Sequence, residues 1–247
     1  MLYTYALSER LLLMKHYRIA GLRVAMETYG RTLDQAAPYE IEMVGEPDII
    51  VSSFAEYIHN MNPALKMDDC EYMATGSSFY MQLMNHSGIM LHSSCVVMDG
   101  RAYLFTAPCG TGKSTHTALW LKRFGDNAYI LNDDKPALRL EDGVWYAYGT
   151  PWSGKHNINR NARIPVGGIA ILERSEINDI APIGGADVIW FLLTQLVRPM
   201  SADYRVLLLE LLDKLLTMIP VWKLKCNMDP DAALVAYQAM SAHKKEN

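Results

Sequence analysis

The sequence predicts an α/β protein with a mixed β-sheet, a small β-rich N-terminal lobe and a helical C-terminal region. The first observation is the alternation of apolar and polar residues over 17–26, which is typical of strands. The second is that hairpin and strand–helix patterns follow one another over 88–172, which favours a sheet with parallel and antiparallel pairs. The third is a change to helical spacing after Gly185, in apolar segments at 186–197 and 203–218.

The length and composition are those of a globular protein with one large domain and a smaller lobe. The chain has 247 residues, of which 50% are hydrophobic and 20% are charged. We predict a β-rich lobe with one helix over residues 1–87 and a catalytic domain over residues 88–247. The net charge of -4 argues against a nucleic-acid partner, since such proteins usually carry a basic field.

Cysteine spacing and hydropathy indicate a cytoplasmic protein. The four cysteines form no C-x-x-C pair, so we interpret them as reduced thiols and not as a disulfide or zinc framework. The apolar run at 11–14 is too short for a signal peptide or a membrane span. We therefore expect neither a membrane nor a nucleic-acid partner, whereas a homo-oligomer is compatible with the sequence.

Periodicity and turn residues predict the individual elements. A helix is expected over 72–84, where apolar residues recur at three- and four-residue spacings. The pair Asp99-Gly100 between two apolar runs predicts a hairpin with a type I′ turn. Asp229 and Pro230 predict the N-cap and first residue of a last helix. Beyond the 17–26 segment, residues 46–51 are predicted as a turn into a short strand. The other predicted strands are 89–98, 101–106, 128–131, 137–140, 144–148, 165–172 and 221–226.

Residues 107–114, Ala-Pro-Cys-Gly-Thr-Gly-Lys-Ser, are the most informative segment, and we call them the glycine loop. They stand between an apolar strand and a helix-like stretch, which is the context of a phosphate-binding P-loop. Gly110 and Gly112 allow the backbone to curl so that several N–H groups point at one anion. Lys113 can reach the β- and γ-phosphates, and the Ser114 hydroxyl can ligate Mg²⁺. The loop therefore predicts binding of a nucleoside triphosphate, ATP, with Mg²⁺.

The predicted nucleotide-binding residues cover most of the loop and the start of the helix. They are Pro108, Cys109, Gly110, Thr111, Gly112, Lys113, Ser114 and Thr115. The strict motif begins with glycine, whereas this chain has Ala107 there. The alternative interpretation is an ordinary glycine turn with a solvated lysine, which the flanking strand and helix argue against.

Two adjacent carboxylates, Asp133 and Asp134, follow an apolar strand and are candidates for the second half of a phosphotransfer site. Neighbouring side chains in a loop point in different directions, so one can serve the metal and the other the acceptor hydroxyl. Asn-Asp-Asp is also good turn chemistry, so a solvated turn is the alternative. His92, in the strand before the one that enters the glycine loop, could approach the phosphates or could be purely structural.

A polar, basic segment over 149–163 is a further candidate. It contains Lys155, Asn157, Arg160 and Arg163. These residues could clamp phosphates or the acceptor, and Arg160, Arg163 or Lys155 would stabilise charge on the transferring group. Of these, Arg163 is predicted to be a catalytic residue. The alternative is a surface loop without a chemical role.

At these residues the chain resembles the catalytic domain of HPr kinase/phosphorylase, a family that shares its nucleotide core with ATP-dependent phosphoenolpyruvate carboxykinase. The resemblance rests on His92, the Gly-Thr-Gly-Lys-Ser segment and the Asp133-Asp134 pair. It implies a mixed-sheet P-loop kinase core of that type, with Lys113 on the phosphates and Mg²⁺ at Ser114 and Asp134. It also implies that Asp133 is the base for the acceptor hydroxyl, assisted by His92.

The resemblance is specific over about residues 88–172 and loose elsewhere. The first 50 residues look like the lobe that begins many stand-alone relatives, some of which phosphorylate a serine of a precursor peptide. In the family a metal-binding glutamate precedes the strand that corresponds to 163–171. Here Arg163 stands near that place, so the resemblance by itself does not imply the second metal contact, phosphorolysis or recognition of HPr.

The leading functional hypothesis is an ATP- and Mg²⁺-dependent kinase that phosphorylates a hydroxyl, either a serine of a peptide or protein or a small molecule. One alternative is a nucleotide-binding sensor or assembly module without phosphotransfer, which would not need Asp133. Another is an NTP hydrolase, which would turn over ATP at full rate without an acceptor. The sequence does not distinguish the acceptor, the nucleotide base or a reverse reaction.

Overall fold

The computed structural model describes residues 14–42 and 45–242 of the chain. The apolar run at 11–14 lies outside these residues except for Met14. The start of the predicted N-terminal lobe and the end of the predicted catalytic domain also lie outside them. The described residues form two β-sheets with α-helices packed on them, so the predicted mixed α/β class is confirmed. No helix in the described ranges is long and apolar enough to cross a bilayer.

Four short strands near the N-terminus form the smaller sheet, in the order β3–β1–β2–β4. They are β1 (Lys15–Ile19), β2 (Leu22–Met26), β3 (Glu40–Ile41) and β4 (Ile49–Val51). The turn between β1 and β2 has Ala20 at φ 51° and Gly21 at φ 78°, as a type I′ turn requires. The alternating segment at 17–26 is therefore a hairpin.

Three helices accompany the small sheet: α1 (Gly30–Ala36), α2 (Ala55–Met61) and α3 (Met67–Leu83). The helix predicted at 72–84 is α3, which begins five residues earlier than predicted. Its Phe79 ring stacks on Trp152 at 4.8 Å, so α3 packs on the loop at 149–162 as well as on the small sheet. The mostly polar sequence of α1 gave no periodic signal.

The larger sheet runs β5–β9–β10–β11–β7–β6–β8, and β13 joins β11 and carries β12 on its other edge. Its strands are β5 (Gly88–Met90), β6 (Ser93–Met98), β7 (Arg101–Thr106), β8 (Ala128–Asn132), β9 (Ala137–Glu141), β10 (Val144–Tyr148), β11 (Arg163–Arg174), β12 (Asp179–Pro182) and β13 (Val221–Cys226). Parallel and antiparallel pairs coexist, as predicted for a mixed sheet.

Strand direction places several functional segments at one edge of the larger sheet. β7, β11 and β13 are mutually parallel, and Thr106 at the end of β7 pairs with Ile171. β8 runs the same way as β7, because β6 lies between them and is antiparallel to both. The carboxyl ends of these four strands therefore share one edge, where open α/β sheets usually bind ligands.

The strand predicted over 89–98 is two strands in the structure. β5 pairs with β9, whereas β6 pairs with β7 and β8. Leu91 and His92 lie between the two strands, so His92 does not lie in the strand beside β7. The predicted turn after β6 is present, with Asp99 at φ 49° and Gly100 at φ 69°.

The C-terminal region is helical as predicted, with α5 (Ala186–Gln195), α6 (Ala202–Met218) and α7 (Asp231–Ala242), while α4 (Lys113–Phe124) follows the glycine loop. The Ser201 hydroxyl caps α6 by accepting from the backbone N–H of Tyr204 at 3.3 Å. The carboxylate of Asp229 accepts from the N–H of Asp231 at 2.9 Å, so the cap predicted for the last helix is present.

The hydrophobic core joins the two sheets. Tyr17 and Tyr39 of the N-terminal region are fully buried and belong to the same cluster as Ala137, Tyr148 and Trp152. β5, the first strand of the larger sheet, begins at Gly88, and this cluster includes residues on both sides of that position. The division of the chain at residue 87 stays a prediction.

Candidate functional site

The glycine loop joins the end of β7 to the start of α4, in the predicted strand–loop–helix order. Gly110 has φ 76° and Gly112 has φ 119°, backbone values that glycine adopts without a steric penalty. Ala107 is fully buried in the core, which accounts for a small apolar residue at the position where the strict motif has glycine. The Lys113 ammonium donates to the carbonyl oxygen of Ala107 at 3.0 Å, so the lysine folds back over the loop.

Arg174 braces the loop from the neighbouring strand. Its guanidinium donates to the carbonyl oxygens of Thr111 at 3.1 Å and Gly110 at 2.5 Å. These bonds direct the carbonyls toward the arginine and constrain the loop backbone. Sequence analysis missed Arg174, which is the last residue of β11 and reaches the loop because β11 lies parallel to β7.

Asp133 lies against the first turns of α4. Its Oδ1 accepts a hydrogen bond from the Ser94 hydroxyl at 2.6 Å, and that hydroxyl lies 2.7 Å from the hydroxyl of Thr117. Thr117 stands almost one helical turn after Ser114. Asp133 is 8% exposed, so the Ser94 hydroxyl replaces part of its lost hydration.

Asp134 points into a different set of side chains. Its Oδ1 lies 3.3 Å from Nε2 of His92, and its Oδ2 lies 3.3 Å from the Lys135 ammonium. Oδ2 also accepts from the Tyr72 hydroxyl at 3.0 Å. Burial acts to raise the pKa of Asp134, but the hydrogen bond from His92 and the charge of Lys135 outweigh it and lower that pKa to about 2.

Two hydrogen bonds to the backbone groups of His92 fix its position. Its carbonyl oxygen accepts from the Thr106 hydroxyl at 2.9 Å, and its N–H donates to the carbonyl of Gln195 at 2.9 Å. Thr106 is the last residue before the glycine loop. His92 thus lies beside the loop, and its carboxylate partner is Asp134 and not Asp133.

Tyr72 connects α3 to the carboxylates. Its hydroxyl accepts from the backbone N–H of Gly154 at 2.9 Å while donating to Asp134. Its ring lies between two cations, with Arg31 at 4.2 Å and Lys135 at 4.3 Å from the centroid. Burial raises the pKa of Tyr72 far above its usual value, so the hydroxyl remains a donor.

The loop at 149–162 packs against Asp134 and is hydrogen-bonded to the N-terminal region. A Cβ at Gly149 would lie 1.9 Å from the carbonyl oxygen of Arg160, so only glycine fits there. Gly154 abuts Asp134, and its carbonyl accepts from the Gln35 amide at 2.9 Å. Lys155 follows Gly154 directly and is exposed.

The other polar residues predicted in this loop have structural contacts. Asn157 adopts φ 50°, and its side-chain oxygen accepts from Asn159 at 2.9 Å. The Arg160 guanidinium lies 4.3 Å from the centre of the Tyr129 ring. Tyr129 stands four residues before Asp133 in β8, roughly 13 Å back along the strand. The structure therefore does not bring the Arg160 head group to the carboxylates.

The catalytic role expected for Arg163 is not supported by its position. Arg163 begins β11, and Ile171, eight residues later, is the residue that pairs with the end of β7. Eight strand residues span about 26 Å. The Arg163 guanidinium instead lies 3.0 Å from Glu141 and 4.1 Å from the Tyr146 ring centre.

The electrostatics of Lys113 tie the loop to the carboxylates. Burial lowers the pKa of Lys113, while the negative charges of Asp134 and Asp133 act in the opposite direction. Both carboxylates are thus within electrostatic reach of the lysine. Across residues 14–42 and 45–242, no three or more His, Cys, Asp or Glu side chains gather as a metal cage.

Several side chains that build the site gave no motif. Ser94 contacts Asp133 and is itself bonded to Thr117, Tyr72 and Lys135 contact Asp134, and Arg174 contacts the loop. Among these residues, Lys135 could have been noted from the sequence, because it follows Asp134 directly.

The chain shows only a distant similarity to known proteins. No family model matches the chain, and no curated protein matches it. Among solved structures, the HPr(Ser) kinase/phosphatase from Coxiella burnetii matches with a TM-score of 0.36 and 14% identity, over 62% of this chain and 95% of that chain. A likeness at this level carries no functional argument, so any function must rest on the geometry of the site itself.

Proposed function

We propose that this protein is an ATP- and Mg²⁺-dependent kinase that transfers the γ-phosphate to a hydroxyl group. The acceptor is a serine of a peptide or protein, or a small molecule. The observation that carries the proposal is that the glycine loop and two adjacent carboxylates lie together: Asp133 connects through Ser94 to Thr117 of α4, and Asp134 is paired with His92, whose carbonyl accepts from Thr106 just before the loop. Phosphate binding needs only the loop, whereas phosphotransfer also needs groups at the acceptor.

The surroundings of the carboxylates support a division of roles. Asp133 lies next to hydroxyls of β6 and α4, close to the helical turn that carries Ser114, which suits an acid on the metal side. Asp134 is paired with His92, which suits the acceptor side. This reverses the roles that the family resemblance implies.

The His92–Asp134 pair is suited to accept the proton of the acceptor hydroxyl. A carboxylate with a pKa of about 2 is a weak base at neutral pH, whereas an imidazole is a stronger one. Asp134 then orients the imidazole and stabilises its charged form, as in other histidine–carboxylate pairs. Tyr72 and Lys135 keep Asp134 ionised and fixed.

The residues present fit Mg²⁺ held mostly by phosphates. Mg²⁺ prefers hard oxygen ligands and commonly uses one or two carboxylates together with substrate phosphates and water. Ser114 and Asp133 supply such oxygens, so a cage of three protein ligands is not required. When bound, the ion would neutralise charge on the β- and γ-phosphates.

Labelled ATP tests the proposal directly. The protein is incubated with γ-labelled ATP, Mg²⁺ and either a cell lysate or a metabolite pool, and the labelled species are identified. Lys113→Ala should reduce labelling by at least about 100-fold, the scale of losing a charged group on transferring phosphate. The matched control is Lys122→Ala, an exposed lysine at the far end of α4.

Each alternative outcome identifies another function. Phosphate release at full rate without an acceptor would indicate a hydrolase. ATP binding without transfer or hydrolysis would indicate a sensor or assembly module. Equal transfer by the parent and Lys113→Ala would show that the glycine loop is not the phosphate site.

Two asparagine variants separate the proposed roles. Asp133→Asn should raise the Mg²⁺ concentration needed for half-maximal activity. Asp134→Asn should lower kcat at saturating Mg²⁺ and change the acidic limb of the pH–rate profile. The opposite pattern would restore the roles implied by the resemblance.

A further inference from the structure

A cavity lies beside the glycine loop, on the side of β7 away from the carboxylates. It has a volume of about 490 Å³, within the range of small-molecule sites. It opens between the start of α4 and the carboxyl ends of β11 and β13. Its walls include Thr115, His116, Leu119, Leu172, Cys226 and Met228.

The position of this cavity matches one end of a bound triphosphate. The loop lies after β7, with β8 on one side of it in the sheet and β11 and β13 on the other. The γ-phosphate end is fixed on the β8 side, because Asp133 and Asp134 follow β8. The nucleoside end must then lie toward β11 and β13, where the cavity is.

His116 in the cavity wall also carries a buried donor. His116 is 2% exposed, and its Nε2 accepts from the indole N–H of Trp120 at 3.2 Å. Burial lowers the pKa of His116 to about 3, so the ring is neutral and its proton sits on Nδ1. That Nδ1 has no hydrogen-bond partner among the described residues. An unpaired buried donor is unfavourable, and a ligand acceptor would remove that cost.

We propose that this cavity takes the nucleoside half of the triphosphate, with its base on the apolar wall and Nδ1–H of His116 as donor to a ring nitrogen or a ribose oxygen. Leu119, Leu172 and Met228 provide the apolar surface on which a planar base packs. Arg174 also lines the cavity, but it donates to two loop carbonyls. The proposal rests on the proposed function, since it requires the triphosphate to occupy the glycine loop.

Differential alkylation of thiols tests this assignment. Met228→Cys introduces a thiol at a side chain that is 76% exposed at the cavity, while Cys109 is an exposed natural thiol in the loop. Short pulses of N-ethylmaleimide are applied with ATP and Mg²⁺, with tripolyphosphate and Mg²⁺, or with Mg²⁺ alone, and labelled peptides are quantified by mass spectrometry. Met200→Cys, at a side chain 92% exposed between α5 and α6, is the control.

The expected result separates the two halves of the ligand. At ten times its dissociation constant, ATP should slow alkylation at both 109 and 228 by about tenfold, because about one site in ten remains free. Tripolyphosphate should slow alkylation at position 109 only. The control thiol should react at the same rate under all conditions.

Two results would overturn the assignment. Protection of Cys109 alone by ATP would leave the phosphate site intact and put the nucleoside elsewhere. Protection at position 228 by tripolyphosphate would mean that loop closure, and not the base, covers the thiol. If neither ligand protects Cys109, the proposed function fails, and this assignment fails with it.

A second pair of variants tests His116 itself. His116→Leu should weaken ATP binding about five- to tenfold, the scale of one hydrogen bond, while tripolyphosphate binding changes less than about twofold. His116→Asn, which keeps a donor near the Nδ1 position, should recover part of the loss. Equal weakening of both ligands would indicate a packing defect in α4 and overturn the role of His116.

Discussion

Asp134 and Glu141 are two carboxylates with nearly the same local surroundings. Asp134 accepts from the Tyr72 hydroxyl and is paired with His92 and Lys135. Glu141 accepts from the hydroxyl of Tyr148 at 2.6 Å and forms ion pairs with Arg139 at 2.6 Å and Arg163 at 3.0 Å. Their side chains are 22% and 19% exposed.

The two clusters differ in what lies next to them. The charge of Asp134 acts on Lys113, and its partner His92 is backbone-bonded to the residue that ends β7. Glu141 ends β9, and its two partners are arginines, which stay charged and cannot exchange a proton at neutral pH. A carboxylate paired with cations and a tyrosine is therefore not by itself evidence of a catalytic site. Its place beside the glycine loop makes Asp134 a candidate and leaves Glu141 a structural ion pair.

The sharpest test of this difference is neutralisation of each carboxylate. Asp134→Asn should reduce the rate of phosphate transfer by at least about 100-fold, because His92 loses the group that orients it. Glu141→Gln should leave the rate within about twofold once the folded fraction is matched by circular dichroism. A comparable loss of activity in both variants would mean that the clusters act alike.

Acidification should affect the Asp134 cluster through stability. The folded-state pKa of Asp134 is lowered to about 2 from 3.8, so its contribution is present above pH 4 and is lost as pH falls through 2. The shift corresponds to about 2 kcal/mol in total, of which about 1 kcal/mol is lost by pH 3. Urea unfolding of the parent and of Asp134→Asn should show their difference shrinking accordingly. A difference independent of pH would contradict the ion pairing.

The two arginines at the ends of β11 extend the comparison. Arg174→Gln removes the braces on the carbonyls of Gly110 and Thr111 and should weaken ATP binding by about tenfold. Arg163→Gln, which disturbs only the Glu141 cluster, should leave ATP affinity unchanged. Isothermal titration of both variants measures this. If Arg163→Gln weakened ATP binding more than Arg174→Gln, the phosphate site would lie at the Arg163 end of β11 and not at the glycine loop.

The smallest effect is expected from the tyrosine hydroxyls. Tyr72→Phe removes one donor to Asp134 and one acceptor for Gly154, so kcat should fall about fivefold with little change in KM for ATP. Tyr148→Phe removes the equivalent donor to Glu141 and should leave kcat unchanged. If only KM for ATP changed in Tyr72→Phe, Tyr72 would act on nucleotide binding and not on the acceptor side.

Local sequence signals predicted most of the elements because each depends on neighbouring residues. The Asp99-Gly100 turn, the cap at Asp229 and the strand at 221–226 all formed as predicted. The helix α1 and the break at His92 were missed, since both are imposed by contacts with distant segments. In particular, the first part of the predicted strand, β5, pairs with β9 and not with β7 or β8.

The same distinction applies to the candidate site. The glycine loop could be recognised because its geometry is built from its own backbone, and Gly110 and Gly112 adopt the positive φ values that the pattern predicts. Arg163 and Arg174 could not be ranked from the sequence, because the register of β11 against β7 decides which arginine reaches the loop.

The sequence by itself determined the mixed α/β class, the strand–loop–helix unit at 107–124 and the adjacency of Asp133 and Asp134. These are properties of short segments, in which glycine conformations and apolar periodicity act locally. Only the tertiary structure decided that Asp133 lies against Ser94, that Asp134 lies against His92 and Tyr72, and that Glu141 lies apart. Side chains on separate elements meet only when strand order, register and core packing place them together, and no local pattern encodes that placement.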